Sequence, residues 1–552
     1  MSIPEEISLL YPPGVTEHNA GQFPMDSAVV GALAAEAVFA AMRSVFKFKP
    51  NQSHPVVYGT DRLEVIQYRL DVVEDLMENE QLYLMLRSLH PELEDMRELY
   101  TADKGGEADT VASLSSVSEI EVYTELIEKL YVFFQQDSVV LRSDGMKRFK
   151  AAIRDIHESE TFRRLKAEYA KINSRIRDIK SITVGINLDT KFNPVEAGIV
   201  DVHTERFQSG NIIDKMLRME FRDNGYNCLA PLEVVGKGLS PDRAAGFRAA
   251  VNSSLQMVMK STLRSWKPAI RAYTSAHSKF LYRLADEIRF LVGGVSLLRQ
   301  LVAAGVPVCK PQAEPKEQRA FTMNGLYNPV IALNRESTPD EAAGLSPVVL
   351  NSIQFDENGM IYIVTGPNQG GKTVFVQAVG IAQMLFQLGL FVPAYSAVMS
   401  PVDAIYTHFP EDSDRRSTGR FGDECQRLMR IFEKLTPHSL VLMDETFSST
   451  SAAEATYIAE QVLLGMRASG SRVLFCTHLH DLAKSIDELN GRAGYAGSRI
   501  DSLTAELDTE QAESGVRSYK ITRSRPEGSS YARHIAQKYG LTLENLIGSL
   551  AR

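Results

Sequence analysis

The chain has 552 residues, of which 44% are hydrophobic and 23% charged, enough apolar material for several packed cores and too much for a disordered chain. Sixty Lys and Arg stand against 69 Asp and Glu, a net charge of -9, which excludes a protein that coats nucleic acid by bulk charge alone. Four cysteines (Cys228, Cys309, Cys425, Cys476) lie far apart without a CxxC, so neither a disulfide framework nor a zinc finger is expected.

The opening MSIPEEISLLYPPG lacks the basic and apolar regions of a signal peptide, and no run approaches ~18 apolar residues. A soluble cytoplasmic protein with no membrane partner is expected. Turn signals such as Pro12-Pro13-Gly14 precede an Ala-rich helical stretch from Ala28 to Val45. From Thr60 onward Leu63, Ile66, Leu70, Val73 and Leu76 recur every three or four residues, the mark of an amphipathic helix. The polar stretch Thr101 to Thr110 reads as a loop.

No Gly or Pro interrupts Met146 to Lys180, where Phe162, Leu165, Tyr169, Ile172, Ile176 and Ile179 alternate steps of three and four. As one helix this stretch is a rod of roughly 50 Å. It carries eleven Lys and Arg against five Asp and Glu, a local excess of +6 that suits either a solvated bundle face or an arm along a phosphate backbone. Between Ser181 and Val202 Gly, Asn and Asp punctuate β-branched runs, predicting short strands inserted among helices. Helical patterns resume from Pro241 to Ala304, with Pro268 as a break. After Gly305 short apolar strands alternate with helices, which predicts an α/β domain around a parallel sheet.

The strand Met360 to Val364 runs into Thr365-Gly366-Pro367-Asn368-Gln369-Gly370-Gly371-Lys372-Thr373, and a helical pattern follows from Val374 to Leu388. This is the phosphate-cradling G-x-x-x-x-G-K-[ST] loop between a strand and a helix. Its glycines let backbone N–H groups face phosphates, Lys372 neutralises β/γ charge and the Thr373 hydroxyl serves Mg²⁺. About seventy residues on, the apolar run Ser439 to Met443 ends in Asp444-Glu445. Asp444 is expected to hold Mg²⁺ through water and Glu445 to polarise the attacking water. A third strand, Arg472 to Thr477, delivers His478, placed to sense a γ-phosphate; nearby His480 lacks the further ligand that a metal centre needs.

TGPNQGGKT with the later LFQLGLFVPA resembles the ATPase domain of the MutS mismatch-repair family. LVLMDETFSSTSAAEA resembles that family's second nucleotide motif, FCTHLHDLA its switch segment, and Tyr519 to Ala536 its C-terminal segment. YRLDVVEDLMENEQLYLMLRS is similar to the start of the family's helical core, and Met146 to Ala304 supplies the counterpart of its levers.

The resemblance implies a C-terminal α/β P-loop NTPase domain of the ABC type, preceded by a mostly α-helical core and lever region. The expected domains are 1–55, of uncertain fold; 56–305, core and lever with the strands near 181–202; and 306–552, the ATPase. It further implies ATP and Mg²⁺ as cofactors, a homodimer, and double-stranded DNA, branched or bent, as partner, with Arg163, Arg164, Lys166 and Lys171 as candidate phosphate contacts.

Two departures shape the expectation. Little chain precedes the core and no Phe-x-Glu occurs there, so mismatch reading is not expected; nor is the nuclease domain that some paralogues carry at their C-terminus. The family's Ser-x-Phe-x-x-Glu signature here reads Ser417-Thr418-Gly419-Arg420-Phe421-Gly422-Asp423-Glu424, with Phe421 and Glu424 in place and the serine position altered. Slow turnover is therefore expected, with Arg415, Arg416 or Arg420 available to neutralise charge. The alternatives are a structural protein that keeps its nucleotide with little turnover and a small-acceptor kinase, for which the long helices have no use.

Overall fold

The computed structural model describes residues 7–21, 23, 27–46, 55–104, 111–177, 181–191, 194–203, 279–336, 348–367, 370–410, 420–447, 450–492, 497–507 and 517–525. The chain divides into two compact units, one of Met1–Ile7, Met85–Val139 and Arg148–Asp286, the other of Ser8–Leu84, Val140–Lys147 and Glu287–Arg552.

Among the described residues the first unit is mainly helical, with one two-stranded hairpin. Leu86, Leu89, Leu93 and Met96 of the helix Glu80–Lys104 and Ile120, Leu126, Ile127 and Leu130 of the helix Val111–Phe134 are buried. The steps of three and four in the first set, and of seven and three from Ile120 through Ile127 to Leu130, put these residues on one face of each helix. Phe134 meets Phe149 edge-on at 5.6 Å and Tyr123 meets Phe162 at 6.1 Å, two ring pairs joining separate helices.

The expected rod from Met146 to Lys180 is two helices, Asp144–Glu158 and Glu160–Arg177, parted at Ser159. The Ser159 hydroxyl accepts from the Phe162 N–H at 3.1 Å and donates to the Ile156 carbonyl at 2.7 Å. It thus caps the second helix at its N-terminus. The stretch read as short strands is an antiparallel hairpin of β1 (Ser181–Leu188) and β2 (Pro194–His203). The helical patterns expected over residues 241–278 lie outside the described residues.

Two sheets organise the second unit. One has four strands, ordered β3 (Gln312–Ala313), β7 (Ser396–Met399), β4 (Phe321–Leu326) and β5 (Asn351–Phe355). The other has six, ordered β12 (Arg517–Thr522), β11 (Ile500–Leu507), β6 (Ile361–Thr365), β10 (Arg472–Cys476), β9 (Leu440–Met443) and β8 (Ile405–His408). All its pairings are parallel except β11 with the edge strand β12. Every residue of β6, β9 and β10 is buried, as continuous apolar runs in a sheet covered on both faces require.

Alternation sorts these strands. Ile361, Ile363, Val441, Met443, Val473 and Phe475 share a core with Leu428 and Ile431 of the helix Arg420–Phe432 and with Ala459, Leu463 and Met466 of the helix Ala452–Ser469. On the opposite face lies the helix Lys372–Leu388, buried almost all round. At Gly380 in that helix an added Cβ would meet Leu33 at 2.6 Å and Leu442 at 2.8 Å, so the helix is held between the sheet and the N-terminal segment.

That segment is fastened at several points. Ala32 accepts from Gln377, Thr60 and Gln387 exchange hydrogen bonds, and Glu287 accepts from the Leu9 N–H at 2.6 Å and the Ser8 hydroxyl at 2.8 Å. Among the described residues no helix is long and apolar enough to cross a membrane.

Candidate functional site

Strand β6 ends at Thr365, and the chain turns through Gly366 at φ 138° and Gly371 at φ 88° before the helix Lys372–Leu388 begins. Both angles suit glycine alone among common residues. Space agrees, because a Cβ on Gly366 would lie 2.6 Å from that of Ala505. Asn368 and Gln369 lie outside the described residues, whereas Gly366, Pro367, Gly370, Gly371, Lys372 and Thr373 form a loop over a helix N-terminus.

Lys372 is buried, and its Nζ donates to the carbonyls of Gly366 at 3.0 Å and Pro367 at 2.9 Å. Burial lowers its pKa, while Cys476, Glu445 and Asp444 oppose that fall. An ammonium whose hydrogen bonds among the described residues go to carbonyl oxygens is ready for an anion. The first free N–H groups of the helix add positive potential at the same point.

The Thr373 hydroxyl donates to Asp444 Oδ2 at 2.7 Å, joining the helix to the end of β9. Asp444 Oδ1 is buried with no nitrogen or oxygen partner among the described residues, and the buried Cys476 thiol is its neighbour. Burial raises the Asp444 pKa, the Thr373 bond opposes this, and the adjacent Glu445 adds to the rise. A hydroxyl and a carboxylate with an uncommitted oxygen form a hard donor pair that fits Mg²⁺. Among the described residues no three His, Cys, Asp or Glu gather as a metal cluster.

Glu445 takes a left-handed backbone, φ 45°, with its N–H bonded to the Cys476 carbonyl at 3.1 Å. This turns its side chain toward His478, whose Nε2 donates to Oε1 at 2.8 Å. Both side chains are partly open to solvent. The carboxylate is thereby oriented yet reachable by water, as a general base must be. Burial, and then the charges of His478 and Lys372, lower the pKa of His480.

Sequence reasoning gave Tyr519 no role. It has φ 53°, it is 38% exposed, and it lies where a Cβ on Gly371 would touch it at 3.3 Å. Asn351 fixes its backbone, donating to the Tyr519 carbonyl and accepting from the Ile521 N–H. An aromatic residue inside a strand otherwise polar on its exposed face was the available signal.

Of the signature segment, Ser417, Thr418, Gly419, Arg415 and Arg416 lie outside the described residues. Phe421 and Glu424 stand in the first turns of the helix Arg420–Phe432, with Glu424 buried. In the first unit Arg163 and Arg164 are exposed. Lys166 donates to Glu128 at 2.6 Å, and Arg163 to the Glu158 carbonyl at 2.7 Å. Lys171 belongs to the same helix.

Residues 362–545 match the family described as MutS domain V, and residues 61–304 match the MutS2 N-terminal domain. An endonuclease MutS2 of Thermus thermophilus is 33% identical over 199 residues, 36% of this chain and 25% of that protein. A DNA mismatch repair protein MutS of Chlorobium phaeobacteroides is 31% identical over 249 residues, 45% of this chain and 26% of the relative. An endonuclease MutS2 of Staphylococcus aureus is 30% identical over 230 residues, 41% and 29% of the two chains. The matches thus span between a quarter and 29% of these relatives' length.

Proposed function

The chain belongs to the MutS family, and from that premise we propose that it is an ATPase of the P-loop, ABC-type class that works as a homodimeric clamp on double-stranded DNA. The observation that carries this reading is the meeting of Lys372, the Thr373–Asp444 pair and the Glu445–His478 pair at neighbouring strand ends. In it, residues 306–552 are the ATPase, 56–305 the core and lever, and 1–55 an N-terminal segment. The protein acts on DNA in the cytoplasm.

ATP lies with its phosphates over the loop from Gly366 to Thr373. Lys372 exchanges its carbonyl partners for β/γ-phosphate oxygens, which restores the charge balance that burial disturbs. The half-exposed face of Tyr519 beside Gly371 offers a stacking surface for the base. Thr373 and Asp444 hold Mg²⁺, which when bound neutralises charge developing on the phosphates. Glu445, oriented by His478, takes the proton of the attacking water.

Multiple-turnover phosphate release, with and without DNA, tests the reading. Turnover that Glu445→Gln abolishes while nucleotide still binds supports it. A parent protein that binds nucleotide but releases no phosphate favours the structural alternative. Sedimentation that shows only monomer at micromolar concentration with ATP present removes the dimer.

A further inference from the structure

Glu445 and Phe447 both take left-handed backbones, with φ 45° and 66°, although neither is glycine. Such conformations are unfavourable for residues with a side chain and persist only where the surroundings over-determine them. The Cys476 carbonyl and His478 hold Glu445 from the β10 side. A separate set of contacts holds it from the other side, through a residue so far without a role.

His408 ends the edge strand β8, paired with Met443 at the end of β9. Its carbonyl accepts from the Asp444 N–H at 3.0 Å, and the residue is 2% exposed. Nδ1 lies 3.2 Å from the Thr446 hydroxyl and Nε2 lies 3.2 Å from the Glu424 carbonyl. A carbonyl can only accept, so Nε2 carries the proton; in the neutral ring Nδ1 then accepts from Thr446. One imidazole therefore ties the residue after Glu445 to the first turns of the helix Arg420–Phe432. The same helix reaches the loop a second time, where Phe421 packs on Phe447 with ring centres 6.2 Å apart.

We propose that His408 is a positioning residue for ATP hydrolysis, bridging Thr446 to Glu424 and so holding the strained Glu445 backbone in its working conformation. This rests on the reading of Glu445 as the general base. Thr446 and Phe447 are the two residues after Glu445, and both are gripped by one helix. A shift of that helix therefore reaches the catalytic carboxylate without touching Lys372 or Thr373. The loss expected is in turnover, not in nucleotide affinity.

The test compares His408→Leu, which keeps bulk and removes both bonds, with His408→Gln, which keeps a donor and an acceptor, and with Thr446→Val, which removes one hydroxyl at constant shape. Steady-state phosphate release and binding of a fluorescent ATP analogue are measured on each. His408→Leu is expected to lower kcat roughly ten- to a hundredfold with nucleotide affinity within about twofold, the scale of a misplaced catalytic group. Thr446→Val should follow part of the way, and His408→Gln should recover most of the rate. In a Glu445→Gln background His408→Leu should add nothing. Should His408→Leu fail to fold, Thr446→Val with kcat unchanged overturns the proposal. Parallel falls in affinity and kcat also overturn it, because they indicate a general loss of structure. If Glu445→Gln turns over like the parent, the base assignment fails and this proposal with it. If Glu445→Gln is inactive and folded His408→Leu keeps the parental kcat, the proposal alone falls.

Discussion

The strand ends of the six-stranded sheet and the helix Glu160–Arg177 both carry charged residues that the sequence marks out, but they hold them in opposite ways. At the strand ends, Lys372, Thr373, Asp444 and Glu445 are each gripped by a partner, and the last three by residues from another element. On the helix, Arg163 and Arg164 are exposed, and Lys166 is paired to Glu128 at a position that remains 54% open to solvent. The first arrangement fixes one geometry. The second supplies charge that can move from one partner to another. Substitutions should therefore cost much at the first place and little at the second.

The sharpest trial of that contrast is Lys372→Ala. It removes the one buried ammonium described at the loop, and turnover is expected to fall roughly a hundredfold or more, read as phosphate release and nucleotide binding. Undiminished hydrolysis in that variant refutes the site.

Packing gives the next largest effect. Leu33 is fully buried against Gly380, so Leu33→Ala should cost about 2–5 kcal/mol in urea denaturation. Leu165→Ala, on the partly exposed helix, should cost about 1 kcal/mol or less. Equal costs would erase the distinction between the two regions.

A pH dependence follows from Glu287. Burial pushes its carboxyl up to about 7 from an ordinary 4.5, against the Leu9 N–H, the Ser8 hydroxyl and the charge of Arg69. The proton is bound more tightly in the folded state. Its contribution to stability is therefore greatest below about pH 4.5 and is lost as pH rises through about 7. Glu287→Gln should flatten stability across that window, measured by denaturation at about pH 5 and about pH 8. A slope that persists in the variant would assign it to another group.

The smallest effects belong to the basic helix. Lys166→Ala should change DNA affinity by no more than a few-fold, because Glu128 already takes part of that charge and exposed pairs are worth ~0–1 kcal/mol. Replacing Arg163 and Arg164 together should weaken binding further and reduce its salt dependence. Gel shifts at two salt concentrations with homoduplex, mismatched and branched DNA check both. A preference for a single mismatch over a branched junction would contradict binding by shape and charge.

What could be read in advance follows the same division. The strand and helix around Gly366 to Thr373 and the strand before Asp444 were legible because phosphate chemistry allows few residue types there. The observed β6 and the helix Lys372–Leu388 lie within a residue or two of the expected spans. His408, Cys476 and Tyr519 were not legible as site residues, since only the strand order brings them beside the loop. The break at Ser159 was hidden because no Gly or Pro marks it, although a serine followed by Glu160 is an ordinary start for a helix. The N-terminal segment gave no motif, and its place emerged from packing alone.

Gly380 marks where that segment packs. A methyl group added there must displace Leu33 or Leu442, one from a segment hundreds of residues earlier and one from a strand further along the chain. The three side chains therefore share one volume, and enlarging any of them requires the other two to shift. The nucleotide segment taken alone does not contain the leucine, far upstream, that packs on this glycine.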